Sequence, residues 1–215
     1  MAKLSSADQS VSPPVIDIPR DYNAAHDLIE RNLAAGRGKK IAYIDDAGRY
    51  TYSDLAERVN RAANALKGLG LEMEQRILLV HLDTIDWPSV FLGAIKAGIV
   101  PVAVNTLLTP ADYEFMLKDS RARVLVASAP LLPNLAAGIK ASPYLKHVIV
   151  SGGDAGQDLS LKALMDDAAP TCDPAPTTSD DACFWLYSSG STGMPKGTVH
   201  VHASMIQTAE LYGTP

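Results

Sequence analysis

Four short runs of this chain are apolar at nearly every position: RILLVHL at 76–82, IVPVAV at 99–104, RVLVAS at 123–128 and HVIVSG at 147–152. A strand with both faces buried reads this way, because neither side of its sheet meets water. Between and before these runs the spacing changes. Leu55, Val59, Ala62, Ala63 and Leu66 form one face of a helix. That helix opens at Thr51, with Asp54 three residues on as in a capping box, and Gly68 and Gly70 stop it. An earlier helix is predicted from Asn23, with Leu28, Ile29 and Leu33 at helical spacing and an end near Gly36. Between these two helices IAYIDDAGRYTY (41–52) reads as a hairpin about an Asp-Ala-Gly turn. A third helix runs to about Lys96, with Pro88 in its first turn and Gly98 past its end. Thr109, Pro110 and Asp112 open a fourth, with Tyr113, Met116 and Leu117 on its inner face. A helical segment separates 123–128 from 147–152, and a short helix over 161–167 starts from Ser160.

Strands alternating with helices predict an α/β fold: a doubly wound, mostly parallel sheet with flanking helices. The chain divides into an irregular arm (1–21), a first α/β subdomain (22–178) and a final piece (179–215). That piece holds an apolar strand, ACFWLYSS (182–189), a Gly/Ser/Thr loop, the strand candidate TVHVH (198–202) and the start of a second subdomain. APTCDPAPTTSDD (169–181), rich in Pro, Thr and Asp, reads as a linker or surface loop.

Composition narrows the class. With 215 residues, 47% of them hydrophobic, the chain can bury a sizeable core. A net charge of −5 argues against a nucleic-acid binder, which carries a basic field. Two cysteines, Cys172 and Cys183, give no disulfide framework and suit a reducing cytoplasm. The first twenty residues hold no apolar signal core. No uncharged stretch reaches the roughly 18 apolar residues of a membrane span. The expectation is a cytoplasmic protein with neither nucleic-acid nor membrane partners.

The stretch LYSSGSTGMPKGTVHVH (186–202) has a composition that packing alone does not require. Gly190, Gly193 and Gly197 let a ligand approach the main chain, and successive N–H groups there can converge on an anion. Ser188, Ser189, Ser191 and Thr192 add hydroxyls, Lys196 adds a positive charge, and Pro195 stiffens the turn. The strand before this stretch ends where open α/β sheets bind ligands. These are the parts needed to hold a polyphosphate; the alternative is a flexible Gly/Ser surface loop, which would not need Lys-Gly at its end or an apolar strand on either side. A P-loop is disfavoured, because Pro195 precedes Lys196 and Gly197 follows it, where that motif needs Gly and Ser or Thr. The dinucleotide pattern G-x-G-x-x-G and the hydrolase elbow G-x-S-x-G are absent.

YSSGSTGMPKG (187–197) resembles the phosphate-binding signature of the adenylate-forming family of acyl- and aryl-CoA ligases, luciferases and peptide-synthetase adenylation domains. TYSDLAERVNRAANALKGLG and GAIKAGIVPVAVNTLLTPADYEFML resemble that family's early segments. DWPSVFLGAIKAGIVPVAVNTLLT, FWLYSSGSTG and GTVHVHAS most resemble the benzoate-CoA ligase group within it. The resemblance implies that a carboxylate attacks the α-phosphate of ATP, giving an acyl-adenylate and pyrophosphate, and that coenzyme A then displaces AMP to give a thioester. It further implies Mg²⁺ and an aromatic carboxylate. Residues 188–197 would hold the β- and γ-phosphates, with Thr192 donating a hydroxyl and Lys196 neutralising the departing pyrophosphate. Family members are much longer, and the segments they use for adenine, ribose and acid would lie beyond Pro215. The expectation is an N-terminal portion, inactive by itself and with no catalytic residue assigned. The alternatives are a non-catalytic module of the same fold, or a ligase for another aryl or short acyl acid.

Other candidates read as structural. His200 and His202 share a strand face but lack a third metal ligand nearby. Asp45-Asp46, Asp166-Asp167 and Asp180-Asp181 fall at turns and suit solvation or capping. Trp87 and Trp185 read as core, Cys172 as an unactivated thiol, and Asn105 as a turn residue.

Overall fold

A computed structural model of the chain describes residues 3–188 and 193–213. Its centre is a seven-stranded sheet in the order β11-β10-β6-β5-β7-β8-β9. The strands are β5 (Arg76–Val80), β6 (Val100–Ala103), β7 (Val124–Ser128), β8 (His147–Ser151), β9 (Leu159–Ser160), β10 (Ala182–Ser188) and β11 (Lys196–Val201). Every neighbouring pair is parallel except β10 with β11. The doubly wound, mostly parallel sheet read from the sequence is the observed one.

The register explains why the strands are apolar throughout. Trp185, Val102, Leu78, Leu125 and Val148 line up across five strands. They face α4 (Pro110–Asp119) and α5 (Leu132–Ala141), where Tyr113, Met116, Leu117 and Leu135 complete one buried cluster. One residue along, Ala103, Leu79, Val126 and Ile149 form the next row. That row faces α1 (Ala24–Ala34), α2 (Tyr52–Gly68), α3 (Asp86–Lys96) and α6 (Leu161–Asp167). Alternating residues thus enter opposite cores, and no position is left to be polar.

The helix starts follow the sequence. Asn23 accepts from the His26 N–H at 3.1 Å, and Thr51 with Asp54 and Thr109 with Asp112 form complete capping boxes. β3 (Ile41–Asp45) and β4 (Gly48–Thr51) make the expected hairpin, with Asp45 accepting from the N–H groups of Ala47 and Gly48.

Two segments differ from the sequence reading, and a third carries no predicted element. In the arm expected to be irregular, β1 (Ser6–Asp8) pairs antiparallel with β2 (Val15–Asp17). Strands of three residues are too short to show a period, so the arm's folding back decides the pairing. Residues 169–181 do not hang as a loop. Asn64 donates to the carbonyls of Ala169 and Thr171, Asn60 to that of Pro170, and Arg61 to that of Ala168. Thr177 is buried and exchanges hydrogen bonds with Tyr22 and Asn23. Polar side chains on the outer face of α2 thus clamp a segment whose composition alone reads as a linker or surface loop. Finally, α7 (His202–Thr208) and a π-helical turn (Ala209–Gly213) follow β11 without a break.

Glycine sets the helix packing on both faces. A Cβ on Gly93 of α3 would stand 2.7 Å from the Ala62 Cβ and 3.0 Å from the Val59 carbonyl of α2. A Cβ on Gly138 of α5 would stand 3.1 Å from the Glu114 Cα of α4. Backbone cannot yield cheaply, so Gly93→Ala is expected to lose about 1–3 kcal/mol by overpacking. Gly68→Ala, with nothing within 4 Å, is expected to be neutral or stabilising by up to about 1 kcal/mol. Urea unfolding of the two variants checks the contrast.

Candidate functional site

β10 enters the sheet beside β6 and carries the signature stretch to the carboxyl edge. β11 returns antiparallel, pairing Tyr187 with Gly197 and Ser188 with Lys196. The signature is therefore the connection of a β-hairpin whose first strand belongs to the parallel sheet. Ser188, Gly193, Lys196 and Gly197 are described. Ser189, Gly190, Ser191 and Thr192 lie outside the described residues.

The hairpin is fixed from below by aromatic residues. Trp185 and Tyr187 point to the α4–α5 side of the sheet. The Tyr187 ring packs edge-on to Phe115 at 6.5 Å, and its hydroxyl donates to the Asp119 carboxylate at 2.6 Å. Burial and that carboxylate raise the Tyr187 pKa, so the phenol stays protonated and remains the donor. Gly197 faces these rings. A Cβ there would meet the Trp185 ring at 3.3 Å and the Tyr187 ring at 3.6 Å, a reason for glycine independent of any ligand. Gly193 has φ of +110°, a conformation that L side chains rarely adopt.

At the mouth of the hairpin, Ser188 and Lys196 are exposed on paired strands. Lys196 makes no ion pair among the described residues. The stretch 186–202 contains no carboxylate, so its charged group is available to an anion. Its chemistry is that of hydroxyl and N–H donors with one cation.

The two histidines after the loop do different work. His200 stacks on Phe184 with ring centroids 4.5 Å apart. His202 is 1% exposed, and its Nδ1 accepts from the Ala24 N–H, an orphan donor in the first turn of α1, at 3.1 Å. No group of three or more His, Cys, Asp or Glu is placed to hold a metal among the described residues. The remaining candidates fall into supporting places. Asn105 accepts from the Leu107 N–H at 2.8 Å and shapes the turn after β6. Trp87 stacks on Phe91 at 4.9 Å, and the Arg76 guanidinium lies over Trp185 at 5.5 Å. Asp166 pairs with Lys162, Asp180 with Arg20, and Asp181 accepts from the Thr178 N–H. Sequence reading missed the Tyr187–Asp119 tie and the His202 cap. Both join residues far apart in the chain, so neither leaves a local signal.

A family model described as AMP-binding enzyme matches residues 30–214. Benzoate–CoA ligase of Thauera aromatica is 59% identical over 216 residues, covering 100% of this chain and 41% of that protein. Among solved structures, a benzoate CoA ligase from Burkholderia xenovorans LB400 superposes with a TM-score of 0.81 at 47% identity, covering 90% of this chain and 37% of that one. An anthranilate CoA ligase in complex with anthranoyl-AMP superposes with a TM-score of 0.86 at 37% identity, covering 91% and 38%. The chain spans about two-fifths of the length of these relatives.

His202 gives the hairpin a pH signature. Burial pushes its pKa down to about 4 from an ordinary 6.5. The unfolded chain therefore takes up a proton between those values that the folded chain refuses. The His202 contribution is complete above pH 6.5 and is lost as pH falls towards 4. Between pH 7 and pH 5 the loss is expected to be about 2 kcal/mol. Half-buried His26 and buried His81, also shifted down, act in the same direction. In His202→Asn, an amide oxygen replaces Nδ1 without titrating, and the pH dependence of urea unfolding should flatten by that amount.

Proposed function

The chain belongs to the AMP-binding enzyme family, and on that premise we propose that residues 188–197 hold the polyphosphate of ATP in an aryl-CoA ligase of the benzoate-CoA ligase type. In this reading the carboxylate oxygen of an aromatic acid attacks the α-phosphorus, and the α–β phosphoanhydride bond breaks. Pyrophosphate leaves and an aryl-adenylate forms. The thiolate sulfur of coenzyme A then attacks the acyl carbon, AMP leaves, and a thioester results. The observation that carries the reading is the exposed Lys196, without an ion pair among the described residues, opposite Ser188 at the mouth of the β10–β11 hairpin. The benzoate and anthranilate ligases named among its relatives support an aromatic carboxylate as the acid.

The physical task of the stretch follows from the charge it faces. Negative charge shifts onto the β-phosphate oxygens as the anhydride bond breaks. Donors already in place stabilise that charge without reorganising at the moment of reaction. Ser188, Ser189, Ser191 and Thr192 supply hydroxyls. The backbone at Gly190, Gly193 and Gly197 allows close approach. Lys196 meets the leaving pyrophosphate as a point charge on a long stem. Mg²⁺ accompanies ATP in this reading as counter-ion to its phosphates. The stretch offers no carboxylate, so no residue of this chain is assigned as its ligand. No acid–base role is assigned either, because the attacking carboxylate is already ionised. The acid, adenine and coenzyme A contacts are not assigned to residues of this chain, and the 215 residues alone are proposed not to turn over.

Two described features bear on the setting. No described helix is long and apolar enough to cross a membrane, and Cys172 and Cys183 are unpaired, which fits the cytoplasm.

The test separates the two half-reactions. In the active enzyme, Lys196→Ala or Thr192→Ala should slow acid-dependent pyrophosphate release by roughly 10²-fold, the usual effect of removing one transition-state donor. Thioester formation from supplied aryl-adenylate and coenzyme A should change far less, since that step carries no polyphosphate. Equal slowing of both half-reactions would refute the assignment.

A further inference from the structure

Beyond the signature hairpin, a second cleft of about 1050 Å³ opens at the same carboxyl edge of the sheet. Its position follows from the winding. β5 connects to β6 through α3 on one face, whereas β7 connects to β8 through α5 on the other. β5 and β7 are adjacent, so the loops after them diverge and leave a crevice, the place where open α/β sheets bind ligands. The cleft is lined by residues 81–86 after β5, by Ser128 and Pro130 after β7, and by Ser151 and Gly152 after β8. The Leu82 N–H donates to Ser128 Oγ at 3.0 Å and ties its two sides together.

The polar groups in the cleft fall into two sets. Arg58 pairs with Asp86, Arg61 with Glu57 and Lys162 with Asp166, so each cation already has its counter-charge. The Asp45 carboxylate is occupied by the N–H groups of Ala47, Gly48 and Ile85. The other set is made of acceptors without partners. Asp46 and Asp83 are exposed and make no ion pair among the described residues. His81 is 3% exposed. Its Nδ1 lies 2.7 Å from the Leu82 carbonyl, and a carbonyl only accepts, so the proton sits on Nδ1. Nε2 is then a lone-pair acceptor, buried and without a partner among the described residues. The Thr84 hydroxyl is in the same condition. A buried acceptor left unpaired is costly, and a donor entering the cleft would recover that cost. Ile44, Tyr50, Ile85, Pro130 and Met165 supply apolar wall.

We propose that this cleft is a second ligand site, distinct from the phosphate loop, that takes an organic cation: an ammonium or guanidinium group on an apolar stem. Its N–H donors reach His81 Nε2, its charge meets Asp83 and Asp46, and its stem lies on the apolar wall. An anion is disfavoured because the cleft carries twice as many carboxylates as cations (Asp45, Asp46, Glu57, Asp83, Asp86 and Asp166 against Arg58, Arg61 and Lys162). The proposal does not depend on the ligase reading, since no residue of the cleft belongs to 188–197.

The experiment is a titration of the 215-residue chain with butylguanidine, followed by the imidazole resonances of its histidines, with butylurea as the uncharged isostere. The expected result is a saturable shift of the His81 ring and binding of butylguanidine about tenfold tighter than butylurea, as for a charge-assisted contact. Asp83→Asn and Asp46→Asn, both at exposed positions that should not disturb folding, are each expected to weaken butylguanidine by about threefold to fivefold. Glu72→Gln, an exposed carboxylate elsewhere, should leave binding unchanged. Equal binding of the two probes, butylguanidine binding untouched by both Asp→Asn variants, or no shift at His81 over the titration would each overturn the site.

Discussion

The rest of the structure depends on the burial of one parallel sheet on both faces. Leu78 and Leu79 are adjacent in sequence and both fully buried, one against α4 and α5, the other against the α1–α2–α3 layer. A parallel sheet requires crossovers, and the crossovers are the helices that cover it. Each loop that leaves a parallel strand then emerges at the same edge. Chemistry gathers there because packing leaves no other edge at which the strands hand their chain to a loop.

Along that edge the loops are not equivalent. The one after β10 returns as an antiparallel strand instead of a helix, and this keeps both of its ends in the sheet. Ser188 and Lys196 are held opposite each other by the ladder, and the ladder is held by Tyr187 on Asp119 and by aromatic rings over Gly197. Rigid strands thus carry the described ends of the connection, with Ser188 and Lys196 positioned by the sheet. The crevice between β5 and β7 has the opposite character. Its cations are already paired, and what remains are carboxylates and a neutral imidazole. One edge therefore presents two charge environments, an exposed lysine beside a hydroxyl and a crevice rich in carboxylates.

Much of this was legible in the residues. The apolar runs at 76–82, 123–128 and 147–152 read as buried strands because both of their faces are core. The capping boxes at Thr51 and Thr109 read correctly because a cap is a local interaction. The stretch 187–197 stood out because its run of glycines, hydroxyls and a lysine is more than packing requires, although Gly197 also has a packing reason against Trp185 and Tyr187. What could not be read depends on distance. The clamp of Asn60, Asn64 and Arg61 on 168–171 and His202 capping α1 across 178 residues are tertiary contacts between groups whose own sequence does not mark the role, whereas β1 and β2, close in the chain, are too short to show a period. The Pro-rich composition of 169–181 suggested a linker or surface loop because composition reports what a segment lacks internally, not what a neighbouring helix supplies.

The central claim is that 188–197 is a polyphosphate site held by the β10–β11 hairpin. Backbone amide chemical shifts of the 215-residue chain, followed through a titration with pyrophosphate, test it most directly. The account predicts saturable shifts concentrated in 188–197, weakened by salt as exposed charge pairs are, with the cleft at His81 unmoved. Shifts that centre on the β5–β7 crevice instead, or none in 188–197, would contradict it.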